Sequence, residues 1–375
     1  MNHSWQAVHT ILQTAVPGTT PAAQLVILQA GQPVFAQVYG WLDLDTRQRP
    51  TQPDTLFDLA SVTKLFVATT FLRLVEAGQV TLDQPVQHVL PNFVGERPIH
   101  PYEDPLRPGA WVEVAPGGGT VEPASVTFRH LLTHTAGLAA WRPLFRQADP
   151  AAARELALHT FFSYRPGERV SYSDIGLILL GLAVEQLTGL SLAEAMRTQV
   201  TEPLGLRATR YLPRTQPQPE PPVCAPTEFC AWRQYRVVGE VHDENAAFLG
   251  GVSGHAGLFS TAHEVATFGQ SFLDATLLRA DTIAEMTRPQ AVDGDVRRGL
   301  GFALWSPDPE ANSHPFSPQT FGHTGFTGTS LWIDPERALV VALLTNEVYY
   351  GRQARGIGPL RVAVHRAIVE AVDGH

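Results

Sequence analysis

The chain has 375 residues, 44% apolar and 17% charged, the proportions of an ordinary globular protein with a sizeable core. Its formal net charge of −9, with no Lys/Arg cluster set against it, excludes non-specific binding to nucleic acid. No apolar run reaches the roughly 18–20 residues that span a bilayer, and Met1–Gly18 lacks the pattern of an export signal, so the expectation is a cytoplasmic protein with no membrane partner.

Two alternating apolar runs, Gln24–Gln29 and Val34–Tyr39, flank Gly31-Gln32-Pro33 and predict a β-hairpin. A short run, Leu56–Ala60, leads into Ser61. Leu65, Val67, Ala68, Phe71, Leu72, Leu74 and Val75 then recur at helical spacing up to Gly78. The stretch from about Leu90 to Pro123 is rich in Pro and Gly, including Pro116-Gly117-Gly118-Gly119, and predicts a long surface excursion. Helices are expected at Phe128–His134, Ala151–Phe162, Asp174–Leu187 and Leu192–Val200. The Pro-rich segment Pro213–Pro226, with Gln216-Pro217-Gln218-Pro219, is expected to be extended. Cys224 and Cys230 fit two free thiols better than a disulfide or a zinc site. A helix over His263–Leu273 precedes predicted strands at Gly301–Trp305, Thr320–His323, Ser330–Ile333 and Leu339–Thr345, and a closing helix covers Leu360–Val372. Strands, then helices, then strands imply an α+β fold in a single domain. An antiparallel sheet flanked by helices uses about residues 1–78 and 290–375, and a mainly helical region, about 79–289, is inserted. The cleft between the two parts is the expected place for a site.

Ser61-Val62-Thr63-Lys64 lies where the strand-like run meets the long helix. Residues three apart share a helix face, so both side chains point into one cleft. Serine needs a partner to take its proton, and a desolvated lysine can serve. Alone, the four residues also fit an N-cap serine with a solvated lysine.

Four segments carry a resemblance. Asp58-Leu59-Ala60-Ser61-Val62-Thr63-Lys64-Leu65 resembles the active-site segment of the family of class C β-lactamases, esterases and penicillin-binding proteins. The segment from Val126 to Leu138 resembles that family's helix-and-turn segment. Tyr172-Ser173-Asp174-Ile175-Gly176 resembles its Tyr-x-Asn box, and Gly322-His323-Thr324-Gly325 its Lys-Thr-Gly box. The boxes occur in the family's order, and the likeness covers roughly residues 20–370. The resemblance implies a β-lactamase-like fold and a serine hydrolase that forms an acyl-enzyme on Ser61. Lys64 and Tyr172 would handle protons, and the Ser61 and Phe326 N–H groups would hold the oxyanion. It implies no cofactor and no metal. Thr324, Gly325 and Phe326 would line the cleft edge, with Gly325 allowing close approach of the substrate backbone.

Two departures shape the substrate expectation. Asp174 stands for Asn; a carboxylate only accepts hydrogen bonds, favours a charged Lys64, and also suits a helix cap. His323 stands for Lys and is mostly neutral at pH 7. Both changes favour esters and peptide-like amides (a D-peptide or cell-wall fragment) over β-lactams. A true β-lactamase or penicillin-binding protein is the nearest alternative, and a non-catalytic binding protein on the same fold is another. His242, Asp243 and His255, with Glu228, are expected to pin loops rather than bind metal. His134 is expected to hold its turn. Of Trp141, Phe145, Trp232, Tyr235 and Trp305, one or two are expected to reach substrate.

Overall fold

The computed structural model describes residues 5–105, 107, 109–114, 118–213, 221–353 and 355–374; Pro116-Gly117 and Gln216-Pro217-Gln218-Pro219 lie outside them. The near-continuous apolar runs at residues 22–29 and 339–345 are those of strands covered on both faces. They pair with each other, Leu25 opposite Leu343 and Ile27 opposite Val341, at the heart of an eight-stranded sheet. Its strands are β1 (Ala22–Gln29), β2 (Gln32–Gly40), β3 (Ala291–Asp293), β4 (Val296–Arg298), β5 (Ala303–Leu304), β6 (Phe321–Thr324), β7 (Ser330–Asp334) and β8 (Leu339–Thr345). The order is β3-β4-β5-β6-β7-β8-β1-β2, with every neighbour antiparallel.

Period-two alternation divides the apolar strand residues between two cores. Ala23, Leu25, Ile27, Val341 and Leu343 face α1 (Gln6–Ala15) and the closing helix, Ile357–Asp373. Val26, Leu28, Leu331, Val340, Ala342 and Leu344 face the main core. That core is built on α2 (Thr63–Glu76), α3 (Asp174–Thr188) and α4 (Ala262–Leu273). Helix α2 is buried almost all round, which marks a core helix rather than a surface one. Its Phe66 stacks on Phe268 of α4 with ring centroids 3.8 Å apart. Gly269 lets α4 lie flat on the sheet: a Cβ there would meet Val340 Cγ1 at 2.6 Å.

Several elements differ from the sequence expectation. Helix α1 was not anticipated; its apolar residues Val8 and Leu12 find partners only once the sheet offers its outer face. The helix at Ala280–Thr287 and the hairpin β3–β4 were likewise unseen. The helix expected to reach Phe162 ends at Leu158, because Phe162 is taken by bridges to Ile99 and Leu138. The excursion before Pro123 carries two short strand pairs, Arg97–Pro98 with Thr120–Val121 and Tyr102–Glu103 with Trp111–Val112. Among the described residues, no single helix is long and apolar enough to cross a membrane.

Candidate active site

A small sheet places the serine. Phe57–Asp58 pairs with Leu258–Ser260, which brings the glycine-rich segment beside the start of α2. Ala60 takes a left-handed φ of 45°, and a tight turn over Ala60–Val62 runs straight into α2. Ser61 therefore projects from the head of a helix, where unpaired N–H groups and positive potential collect.

Lys64 lies one turn on and is almost fully buried, at 1% side-chain exposure. Its Nζ donates to Ser61 Oγ at 2.8 Å and to the His255 carbonyl at 2.9 Å, and it pairs with Asp174 Oδ1 at 2.8 Å. The three protons of an ammonium thus meet three acceptors. Burial alone pulls the Lys64 amine down, but the charge of Asp174 and the neighbouring Tyr172 outweigh it and hold Lys64 above its ordinary value. Lys64 is a cation at rest.

Tyr172 enters at the head of α3. The N-cap there is Ser173, whose Oγ accepts the Gly176 N–H at 3.1 Å. Asp174 is therefore not the cap: it is the first helical residue, and its carboxylate is spent on Lys64. His134 accepts the Ser173 N–H through Nδ1 at 3.1 Å, and its ring lies 4.6 Å from that of Tyr172. It holds the segment around Tyr172, a structural role that reaches beyond the turn it was expected to hold. The Tyr172 ring also faces Lys64 Nζ at 4.8 Å and the Arg298 guanidinium at 5.4 Å. Its hydroxyl is buried and has no hydrogen-bond partner among the described residues.

Across the cleft, β6 presents His323. Its Nδ1 lies 2.7 Å from the Thr324 carbonyl, so Nδ1 carries the proton. Burial, with the Arg298 and Lys64 charges, pushes the ring down to about 3, and it is neutral around pH 7. Thr324 and Gly325 follow on the cleft lining. Gly325 serves a purpose other than substrate approach: a Cβ there would come within 2.5 Å of the Leu59 carbonyl and 2.2 Å of Thr329 Oγ1. Its missing side chain lets β6 close on the serine turn. Phe326 stands out at 41% exposure, stacks on His242 at 5.6 Å, and its N–H has no acceptor among the described residues.

These groups share one cleft of about 810 Å³, lined by Ser61, Tyr172, Asp174, His323, Phe326 and Trp141 among others. Arg298 of β4 also lines it and was missed in the sequence. Its Nε is buried without a hydrogen-bond partner, and no carboxylate lies within ion-pair reach among the described residues. Only Trp141 of the five candidate aromatics lines the cleft; Phe145 and Trp232 pack on each other at 5.4 Å, and Trp305 stacks on His314. The acidic and histidine loops pair internally. His242 Nε2 lies 2.8 Å from Glu228, Arg352 donates to Glu228 at 2.9 Å, and His255 Nε2 lies 2.8 Å from Asp243. Burial raises the Asp243 carboxyl, but the His255 ring outweighs it and holds the group below its ordinary range. Among the described residues, no three His, Cys, Asp or Glu converge as metal ligands.

A family model described as Beta-lactamase matches residues 11–365. The chain belongs to the Beta-lactamase family. As a member, it is a serine hydrolase of the acyl-enzyme type. One relative, named "Putative D-alanyl-D-alanine carboxypeptidase" in Salmonella agona, is 29% identical over 89% of this chain and 81% of its own length. The structure of EstCE1, a hydrolase with promiscuous acyltransferase activity, superposes with a TM-score of 0.73 at 21% identity, covering 97% of this chain and 98% of that one. A penicillin-binding protein homologue from Caulobacter crescentus gives 0.73 at 20% identity, covering 98% of each chain. These two structures share the Beta-lactamase fold.

Proposed function

We propose that this Beta-lactamase family member hydrolyses carboxylic esters or peptide-like amides through an acyl-enzyme on Ser61, preferring substrates with a carboxylate on the departing side. The observation that carries the nucleophile is the 2.8 Å approach of Lys64 Nζ to Ser61 Oγ inside the cleft. Because Lys64 is the donor in that bond, the serine's own proton must leave toward another base. We assign that role to Tyr172, whose ring faces the Lys64 and Arg298 cations. Ser61 Oγ attacks the carbonyl, and its proton passes to the Tyr172 oxygen. The Ser61 and Phe326 N–H groups hold the oxyanion, Tyr172 returns the proton to the leaving group, and water then releases the acyl group. Tyr172→Phe lowers kcat by about 10²- to 10⁴-fold with little change in KM, as steady-state ester hydrolysis will show.

The substrate preference rests on Arg298. A half-buried cation beside Tyr172, with no carboxylate in ion-pair reach among the described residues, fits a carboxylate brought by the substrate. The name of the Salmonella relative agrees with a D-peptide ending in a free carboxylate. Neutral His323 and anionic Asp174 place β-lactams lower. The test is a panel of D-peptides with free or amidated ends, p-nitrophenyl esters and nitrocefin. The free carboxylate is preferred by about 10- to 100-fold, and Arg298→Ala removes that preference. Equal turnover of amidated and free peptides, or nitrocefin as the best substrate, overturns it. A cytoplasmic location belongs to this proposal; the buried thiols Cys224 and Cys230 suit a reducing compartment.

A further inference from the structure

We infer that Asp58 is a positioning residue that sets the spacing of the two N–H groups facing the substrate oxygen, those of Ser61 and Phe326. The inference rests on the acyl-enzyme reading above. Asp58 is buried, and among the described residues its carboxylate has no lysine or arginine within ion-pair reach. Two backbone donors satisfy it instead: Oδ1 accepts the Ala60 N–H at 2.8 Å and Oδ2 accepts the His242 N–H at 2.6 Å. A carboxylate without a counter-ion in such a place is costly, and burial pushes its carboxyl up despite the two N–H donors.

Each of these bonds leads to one side of the oxyanion site. The first holds the peptide of Ala60, whose φ of 45° an L-residue rarely adopts, immediately before the nucleophile. The second holds the His242 backbone, and the His242 ring lies against Phe326 at 5.6 Å and 22°. The main chain around Asp58 completes the tie. Thr327 Oγ1 donates to the Asp58 carbonyl at 2.7 Å, and Thr329 Oγ1 donates to the Leu59 carbonyl at 2.9 Å. The turn bearing Ser61 and the loop bearing Phe326 are therefore joined through Asp58 and its neighbour Leu59. An oxyanion site needs both donors at the right distance at once, and a displacement of about 1 Å costs on the order of 100-fold in rate. Asparagine keeps the shape of Asp58 but cannot accept from both donors, because its NH2 would face one of them.

Asp58→Asn is measured per active site, counted by burst titration or fluorophosphonate labelling. We expect kcat to fall about 10- to 100-fold with ester KM nearly unchanged. Affinity for phenylboronic acid, which forms a tetrahedral adduct on Ser61, falls by a similar factor. A merely structural role would lower the number of active sites and leave boronate affinity per site intact, and that result overturns the inference. If Asp58→Asn does not fold, Thr327→Val removes one tie and leaves the carboxylate. The same paired loss of kcat and boronate affinity, smaller in size, is then expected, and unchanged boronate affinity overturns the inference. Failure of the underlying reading looks different: Ser61→Ala still takes up label, or the wild type forms no boronate adduct.

Discussion

Ser61→Ala abolishes covalent labelling by a fluorophosphonate or a fluorescent penicillin and lowers kcat for ester substrates by at least about 10⁴-fold. Wild type gains the mass of one label, and the variant gains none. The size follows from what remains: the N–H pair and the cleft still bind substrate, but water must do the work of an alkoxide held in place. The fold should tolerate the change. Among the described residues Ser61 makes one side-chain hydrogen bond, from Lys64, and without it the ammonium keeps the His255 carbonyl and Asp174. Unfolding free energy therefore shifts by no more than about 1 kcal/mol. A label retained in Ser61→Ala would place the nucleophile elsewhere.

Lys64→Met is expected to damage both rate and stability. The rate falls about 10³-fold or more, because Tyr172 and Ser61 lose the cation between them. Stability falls by about 3–5 kcal/mol, the cost of stranding one partner of a buried pair. The Lys64→Met, Asp174→Asn double variant regains much of that stability and none of the activity, since it removes the stranded carboxylate along with the base network. Denaturant unfolding and ester kinetics on the four proteins of the cycle separate the two effects. The pH dependence has a definite sign. Lys64 is held above its ordinary value of 10.5, so the stability it contributes is fully present below that pH and is lost as pH rises through the folded value. Asp174→Asn alone leaves burial as the dominant influence on the amine and brings it down. Its kcat/KM should then climb with pH as neutral lysine becomes available as a base. Neither His323 nor His134 adds a limb near pH 6–7, because burial keeps both neutral there.

The site was legible in proportion to how local it is. Ser61 and Lys64 sit three residues apart on one helix start, and Tyr172 and Asp174 open another, so spacing and family likeness announce them. Asp174 shows the limit. Its residue type suggested both a cap and a partner for Lys64, and only the packing of α2 against α3, with Ser173 one residue earlier, decides between them. Arg298 carries no motif. It is one of two adjacent arginines in a short strand, and it becomes a site residue because the sheet sets β4 next to β5, which in turn pairs with β6. Gly325 was read as room for substrate, whereas its neighbours are Leu59 and Thr329 from the protein itself. Helix α1 was invisible for a related reason: ten residues with two buried side chains make a helix only against a surface the rest of the chain supplies.

The pairing of β1 with β8 joins residues 22–29 to residues 339–345. During synthesis, Ser61, Lys64, Tyr172 and Asp174 all emerge before the strand that completes the middle of the sheet exists. A nascent chain that has reached residue 338 carries the β8-pairing edge of β1 and the sheet-facing side of α4 without that partner. Closure is a late, long-range event of the kind that folds slowly and exposes apolar surface in the meantime. The chemistry is written early in the chain and becomes usable only once residues 339–345 have been made and have closed the sheet, so synthesis order itself delays the appearance of an active hydrolase.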